Sequence, residues 1–134
     1  MLNSKNQAPN YKQIQINKIQ NSKQYDLEER TFEFAKNCRN FIKKLPRTIT
    51  NIEYGKQLAR SSGSQAANYI EANESLSKRD FGHRIKICRK EAKESRMWLR
   101  LCENDQTLEN EQSELIQEAK ELTSIFSSIY EKAK

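Results

Sequence analysis

The sequence predicts an all-α protein folded as an up-down-up-down antiparallel four-helix bundle, and three observations carry that prediction. Glycine (3 residues) and proline (2) are scarce in a chain of 134 residues, so long uninterrupted helices are permitted. Four segments each place apolar or small residues at alternating spacings of three and four. Between those segments stand the residue types that start and stop helices. A chain of this length fits one domain and can bury a core without metals or disulfides.

Residues 1–24 are expected to be a flexible basic tail. They are rich in Asn, Gln, Lys and Ser, and hold Lys5, Lys12, Lys18 and Lys23 with no acid. Such a stretch is too polar to offset the entropy of ordering. Ile14, Ile16 and Ile19 give it a means of docking, but composition favours a mobile arm. The same polarity argues against a secretory signal, and no apolar run approaches the roughly 18 residues of a membrane span. A cytoplasmic location is therefore expected.

The bundle is placed at residues 25–134, with helices at about 26–45, 50–74, 78–103 and 109–132. In the first, Asp26 and Glu29 form a capping pair. Leu27, Thr31, Phe34, Cys38, Phe41 and Leu45 then make the apolar stripe, widened by Ala35 and Ile42. Pro46 stops it, because the residue before a proline disfavours the α region. In the second, Thr50 and Glu53 read as a capping box. The stripe is Ile52, Gly55, Ala59, Ser62, Ala66, Tyr69 and Asn73. Most of these are small, which suits close helix approach. Gly55 and Gly63 each cost about 1 kcal/mol against Ala, and close packing is the expected reason for both.

Ser77 with Asp80 opens the third helix. Phe81, Ile85, Cys88, Ala92, Ser95, Leu99 and Cys102 form its seam, with Ile87, Trp98 and Leu101 alongside. The helix is expected to end near Asn104–Asp105. Leu115, Ala119, Leu122, Phe126, Ile129 and Ala133 trace the fourth stripe, widened by Ile116 and Ile125. Short links force antiparallel neighbours. Cys38, Cys88 and Cys102 all fall on these stripes and form no CxxC, so buried structural thiols are expected. Cys88 and Cys102, placed on one helix, would lie about 21 Å apart, too far to bond.

Several ordered blocks carry a family resemblance. They are Gln57-Leu58-Ala59-Arg60-Ser61, Ala67-Asn68-Tyr69-Ile70-Glu71-Ala72, Lys78-Arg79-Asp80-Phe81 and Lys90-Glu91-Ala92-Lys93-Glu94-Ser95-Arg96-Met97-Trp98-Leu99. From about Tyr25 to Lys134 the chain resembles the four-helix-bundle proteins encoded in intervening sequences of bacterial 23S rRNA genes. It departs from the family's pattern at Gln65, within Ser64-Gln65-Ala66-Ala67-Asn68. The resemblance implies a ring-shaped homo-oligomer, a pentamer. It extends to the similar accessory protein of diversity-generating retroelements, which implies nucleic acid and a reverse transcriptase as partners. It supplies no catalytic residues.

The net charge of +6 is unevenly spread. Residues 81–100 hold seven Lys or Arg against Glu91 and Glu94, whereas residues 101–134 hold three Lys against eight acids. Lys86, Arg89, Lys90, Lys93, Arg96 and Arg100 run beside the seam of the third helix, and these six are the candidate nucleic-acid-binding residues. A row of this kind neutralises phosphates with steep salt dependence. It reads equally as a solvated face pairing with Glu111, Glu114, Glu118 and Glu121 of the fourth helix. The sequence interleaves no aromatics with the row, which argues against sequence-specific single-strand recognition.

Trp98, Met97 and Tyr69 suit either a subunit interface or the monomer core. Asn68, Glu71 and Glu91 read as exposed, with a buried polar network as the alternative. A di-metal carboxylate site needs Glu-x-x-His on two helices, which a single histidine, His83, cannot supply. His83 is expected on the surface near a helix start, and no nucleophile or oxyanion arrangement accompanies it. The expected function is non-enzymatic: an oligomeric bundle, without cofactor, that binds RNA or DNA non-specifically. A protein–protein adaptor without nucleic-acid binding is the alternative.

Overall fold

The computed structural model describes residues 26–134. The expected tail, with its three isoleucines, and Tyr25 lie outside the described residues. The described chain is four α-helices: α1 Leu27–Lys44, α2 Ile49–Asn73, α3 Lys78–Leu101 and α4 Glu109–Ala133, with a 3-10 turn Gln106–Leu108 leading into α4. No strand occurs among the described residues.

By internal contacts the chain divides into two units, Met1–Arg30 and Thr31–Lys134. The described part of the first is the entry to α1. There Asp26 Oδ1 accepts from Glu29 N (3.2 Å), the predicted cap, and Arg30 N donates to Asp26 O (3.0 Å).

In the second unit the pairings run in opposite order along successive helices. Thr31 and Ile42 of α1 meet Gln65 and Gly55 of α2. Asn68, Ser61 and Asn51 of α2 meet Arg84, Ser95 and Glu103 at the start, middle and end of α3. Gln112 at the start of α4 meets Leu99, and Tyr130 near its end stands beside Gly82. Lys44 closes α1 onto α4 through Glu111 at 2.7 Å. The bundle is antiparallel throughout.

The helix ends follow from identifiable caps. Ser77 Oγ accepts from Asp80 N at 3.0 Å, as predicted. For α2 the cap is Thr48, whose Oγ1 accepts from Asn51 N at 3.1 Å, so the helix starts two residues before the predicted Thr50–Glu53 box. Asn51 explains the choice. Its Nδ2 donates to Pro46 O (3.0 Å) and Glu103 O (2.7 Å), and its Oδ1 accepts from Glu103 N (2.9 Å). One buried amide thereby ties the α1–α2 link to the end of α3. That end comes at Leu101, earlier than predicted, with Gln112 Nε2 donating to Leu99 O (2.7 Å) and Cys102 O (3.0 Å).

All six predicted stripe residues of α1 and all seven of the α3 seam are buried. In α4, Leu115, Ala119, Leu122 and Phe126 are buried, while Ile129 and Ala133 are half-buried as the helix runs out. The α2 stripe is different. Gly55, Ser62 and Tyr69 are buried as predicted, but Ile52 and Ala59 are exposed, and Ala66 and Asn73 are half-buried. The buried face is instead Asn51, Gly55, Leu58, Ser61, Ser62, Gln65, Tyr69 and Ala72. The reason is that α2 fills much of its core face with polar side chains that find partners. Ser61 and Ser95 hydroxyls meet at 2.8 Å, and Gln65 Nε2 donates to Thr31 O (2.9 Å) and Ser62 O (3.0 Å). Each such bond contributes about 0.5–1.5 kcal/mol, enough to make a polar core position tolerable but invisible to hydrophobic patterning.

Only one of the two α2 glycines is explained by packing. A Cβ at Gly55 would stand 3.1 Å from Ile42 Cγ2, so a side chain there would press Ile42 to shift by a few tenths of an ångström. At Gly63 a Cβ would meet nothing within 4 Å, so close packing is not its reason.

The three cysteines are buried and free. Burial pushes the Cys38 and Cys88 thiols up to about 12 and Cys102 to about 11, which keeps them neutral and poorly nucleophilic near pH 7.

Candidate nucleic-acid interface

α3 is amphipathic in charge as well as in hydropathy. Its seam faces the core, which leaves two flanks, one turned to α2 and one to α4.

The α2-facing flank is neutralised within the molecule. Arg60 of α2 reaches Glu91 Oε1 (3.5 Å) and Glu94 Oε1 (3.3 Å). Arg84 Nη1 donates to Asn68 Oδ1 (2.8 Å), itself held by donation from Asn68 Nδ2 to Ser64 O (2.9 Å). Trp98 lies against Tyr54, ring centroids 6.0 Å apart, with its indole N–H buried and without a partner. Glu91 is 5% exposed, contrary to the expectation of a surface position. Asn68 is half-buried and bonds Ser64 and Arg84, Glu91 pairs with Arg60, and Glu71 is exposed, so the three form no common network. Tyr69 belongs to the core against Phe126 (6.2 Å between ring centroids), Trp98 is half-buried, and Met97 is exposed.

The α4-facing flank carries Lys86, Arg89, Lys93, Arg96 and Arg100 at strict spacings of three and four. Lys86, Lys93 and Arg100 are exposed, while Arg89 and Arg96 are half-buried. Among the described residues none of the five forms an ion pair with a carboxylate. The alternative reading, pairing with α4 acids, is not seen for this row among the described residues, and Glu111 is engaged by Lys44 instead. Lys90, the sixth predicted member, breaks the spacing and sits 3.7 Å from Glu91 Oε2. Arg96 Nε is buried and has no hydrogen-bond partner among the described residues. From Lys86 to Arg100 the row spans about 21 Å, the length of about six phosphates along a B-form strand.

One contributor was missed by sequence reading. Tyr130 of α4, half-buried, brings its ring to the row's first turns, with Lys86 Nζ 5.9 Å, Arg89 Cζ 5.3 Å and Lys134 Nζ 6.0 Å from the centroid. The signal available in sequence was only that Tyr130 lies four residues beyond Phe126, just off the α4 stripe. Its register against Lys86 depends on how α4 returns along α3.

A separate shallow cleft at the α2–α3 turn is lined by Glu71, Glu74, Ser75, Asp80, His83 and Arg84. His83 is exposed there, as expected. Among the described residues no three His, Cys, Asp or Glu side chains gather closely enough to hold a metal ion. No helix among them is long and apolar enough to cross a membrane.

Comparison with known proteins fits this architecture. Residues 23–128 match the model of a family described as 23S rRNA-intervening sequence protein. A crystal structure of a protein of unknown function from the S23 ribosomal protein family of Bacteroides thetaiotaomicron VPI-5482 is similar, with a TM-score of 0.63 and 25% sequence identity. The match covers 77% of this chain and 96% of that one. No curated protein matches.

Proposed function

Because the chain belongs to the 23S rRNA-intervening sequence protein family, we propose that it is a non-catalytic, self-associating helical bundle that binds RNA or DNA through the α4-facing flank of α3. The observation that carries this reading is the row of five cations with no ionic partner among the described residues, on a helix whose other flank directs Glu91 and Glu94 onto Arg60. Unpaired, regularly spaced cations attract phosphates and release their counterions on binding, without reading bases. If four phosphates are neutralised on a single strand, affinity falls roughly 50-fold between ~50 and ~200 mM salt.

The test is a titration of RNA and DNA oligonucleotides against the wild-type protein and the triple variant Arg89→Glu, Lys93→Glu, Arg96→Glu. Loss of binding in a variant that keeps its helical content and assembly state supports the reading. Unchanged binding, or wild-type binding insensitive to salt, removes it.

Self-association is supported by the outer face of α2. Ile52 (41% exposed), Ala59, Gly63, Ala66 and Ile70 (49%) follow one another at helical spacing, and Phe32 of α1 is 53% exposed. Such a face suits a second copy of the chain, because small residues let helices approach closely. Sedimentation showing only monomer at micromolar concentration removes this part of the proposal. A protein adaptor is the second reading, favoured by the same exposed side chains. It predicts partner capture that survives the charge reversals.

A further inference from the structure

The basic row ends at an aromatic ring, and that ring gives the surface a preference the charges alone lack. We infer that Tyr130, with Lys86 and Arg89, forms a stacking platform for an unpaired base, so that the flank takes single-stranded nucleic acid in preference to duplex. This inference rests on the nucleic-acid reading of the same flank and narrows its ligand.

The geometry is as follows. Tyr130 is half-buried, fixed on α4 one turn beyond the buried Phe126. Gly82 of α3 stands beside it, where a Cβ would come 3.9 Å from Tyr130 Cε1. Any longer side chain at 82 would compete with the ring for that space. Arg89, at 5.3 Å, is the nearest of the three cations. Arg89 sits over the ring within cation–π range and Lys86 and Lys134 stand at its outer limit, near 6 Å, so a stacking base shares the ring with these mobile side chains or displaces them.

A phosphate held by Lys86 or Arg89 brings its own nucleotide within reach of that ring. Every unpaired base offers a π-face, and base–aromatic stacking is tolerant of sequence. In a duplex those faces are already stacked on neighbouring pairs, and Tyr130 has no access to them. The cations then serve both forms, whereas the ring serves one.

The experiment compares oligo(U), oligo(dT) and a blunt duplex of equal length at one fixed low salt concentration. The proteins are the wild type, Tyr130→Phe, Tyr130→Leu and the triple charge reversal. Tyr130→Leu keeps a shorter apolar side chain with no π-face, and its helical content and melting are checked against wild type. The expected result is a roughly 10-fold loss for both single strands with Tyr130→Leu. Duplex affinity stays within about twofold, Tyr130→Phe behaves as wild type, and the salt slope is unchanged. Equal loss on duplex and single strand, or no loss on either, overturns the inference while leaving the row intact. If the triple reversal also changes nothing, the nucleic-acid reading itself fails. A wild type that prefers duplex overturns the inference whatever the variants do.

Discussion

The two flanks of α3 differ both in the residues they carry and in the electrostatic state they reach. Toward α2, Glu91 and Glu94 meet Arg60, Arg84 meets Asn68, and Trp98 meets Tyr54. Toward α4, five cations run along 15 residues of the helix with no ionic partner among the described residues, and Lys134 brings further positive charge to the adjoining aromatic. The first arrangement holds helices together; the second leaves charge available to a ligand. Which arrangement results depends on the acids α3 itself carries on its α2 side and on what the neighbouring helix presents.

Three substitutions test that contrast. The largest effect is expected at the seam both flanks share. Ile85 is fully buried, and Ile85→Ala is expected to destabilise by about 2–5 kcal/mol in urea unfolding. A loss under 1 kcal/mol would mean that α3 is not seated as described. Next comes the paired flank. Arg60→Ala removes a counter-charge from the buried Glu91 and is expected to cost about 1–2 kcal/mol, with Lys90 at 3.7 Å limiting the damage. Adding Glu91→Gln should recover part of that loss. If Arg60→Ala proves neutral, the two flanks do not differ in the sense proposed. Smallest is the open flank: Arg100→Ala should change stability by no more than about 0.5 kcal/mol. Its signature is in binding, where the slope of log affinity against log salt should shrink by about 0.7 on single strands.

Sequence patterning was most accurate where hydrophobic contrast was strongest. The α3 seam, from Phe81 to Cys102, carries apolar or small residues at every third or fourth position among charged ones, and each is buried. On α2 the contrast is weak, and the predicted face was displaced onto Ile52 and Ala59. The core positions taken by Asn51, Ser61 and Gln65 draw hydrogen bonds from Glu103, Ser95 and Thr31, all more than 30 residues away in sequence, although Gln65 Oε1 is buried without a partner among the described residues. Gln65, the residue that departs from the family's pattern, is thus fully buried and bridges two helices.

The candidate interface divides the same way. The basic row was legible, because spacing along one helix is a local property. That Lys90 pairs with Glu91, that the α4 acids leave the row alone, and that Tyr130 arrives beside Lys86 were not legible.

What the amino-acid order determined by itself was the number of helices, most of their limits and the inward face of α1, α3 and α4. Each follows from backbone geometry and the repulsion of apolar surface by water over a few turns. What only the assembled bundle decided was which polar groups find partners. Hydrogen bonds and ion pairs act over about 3–4 Å, and whether two side chains come that close depends on the register of helices far apart in the chain. That α4 brings no carboxylate to the cations of α3 among the described residues is a consequence of that register.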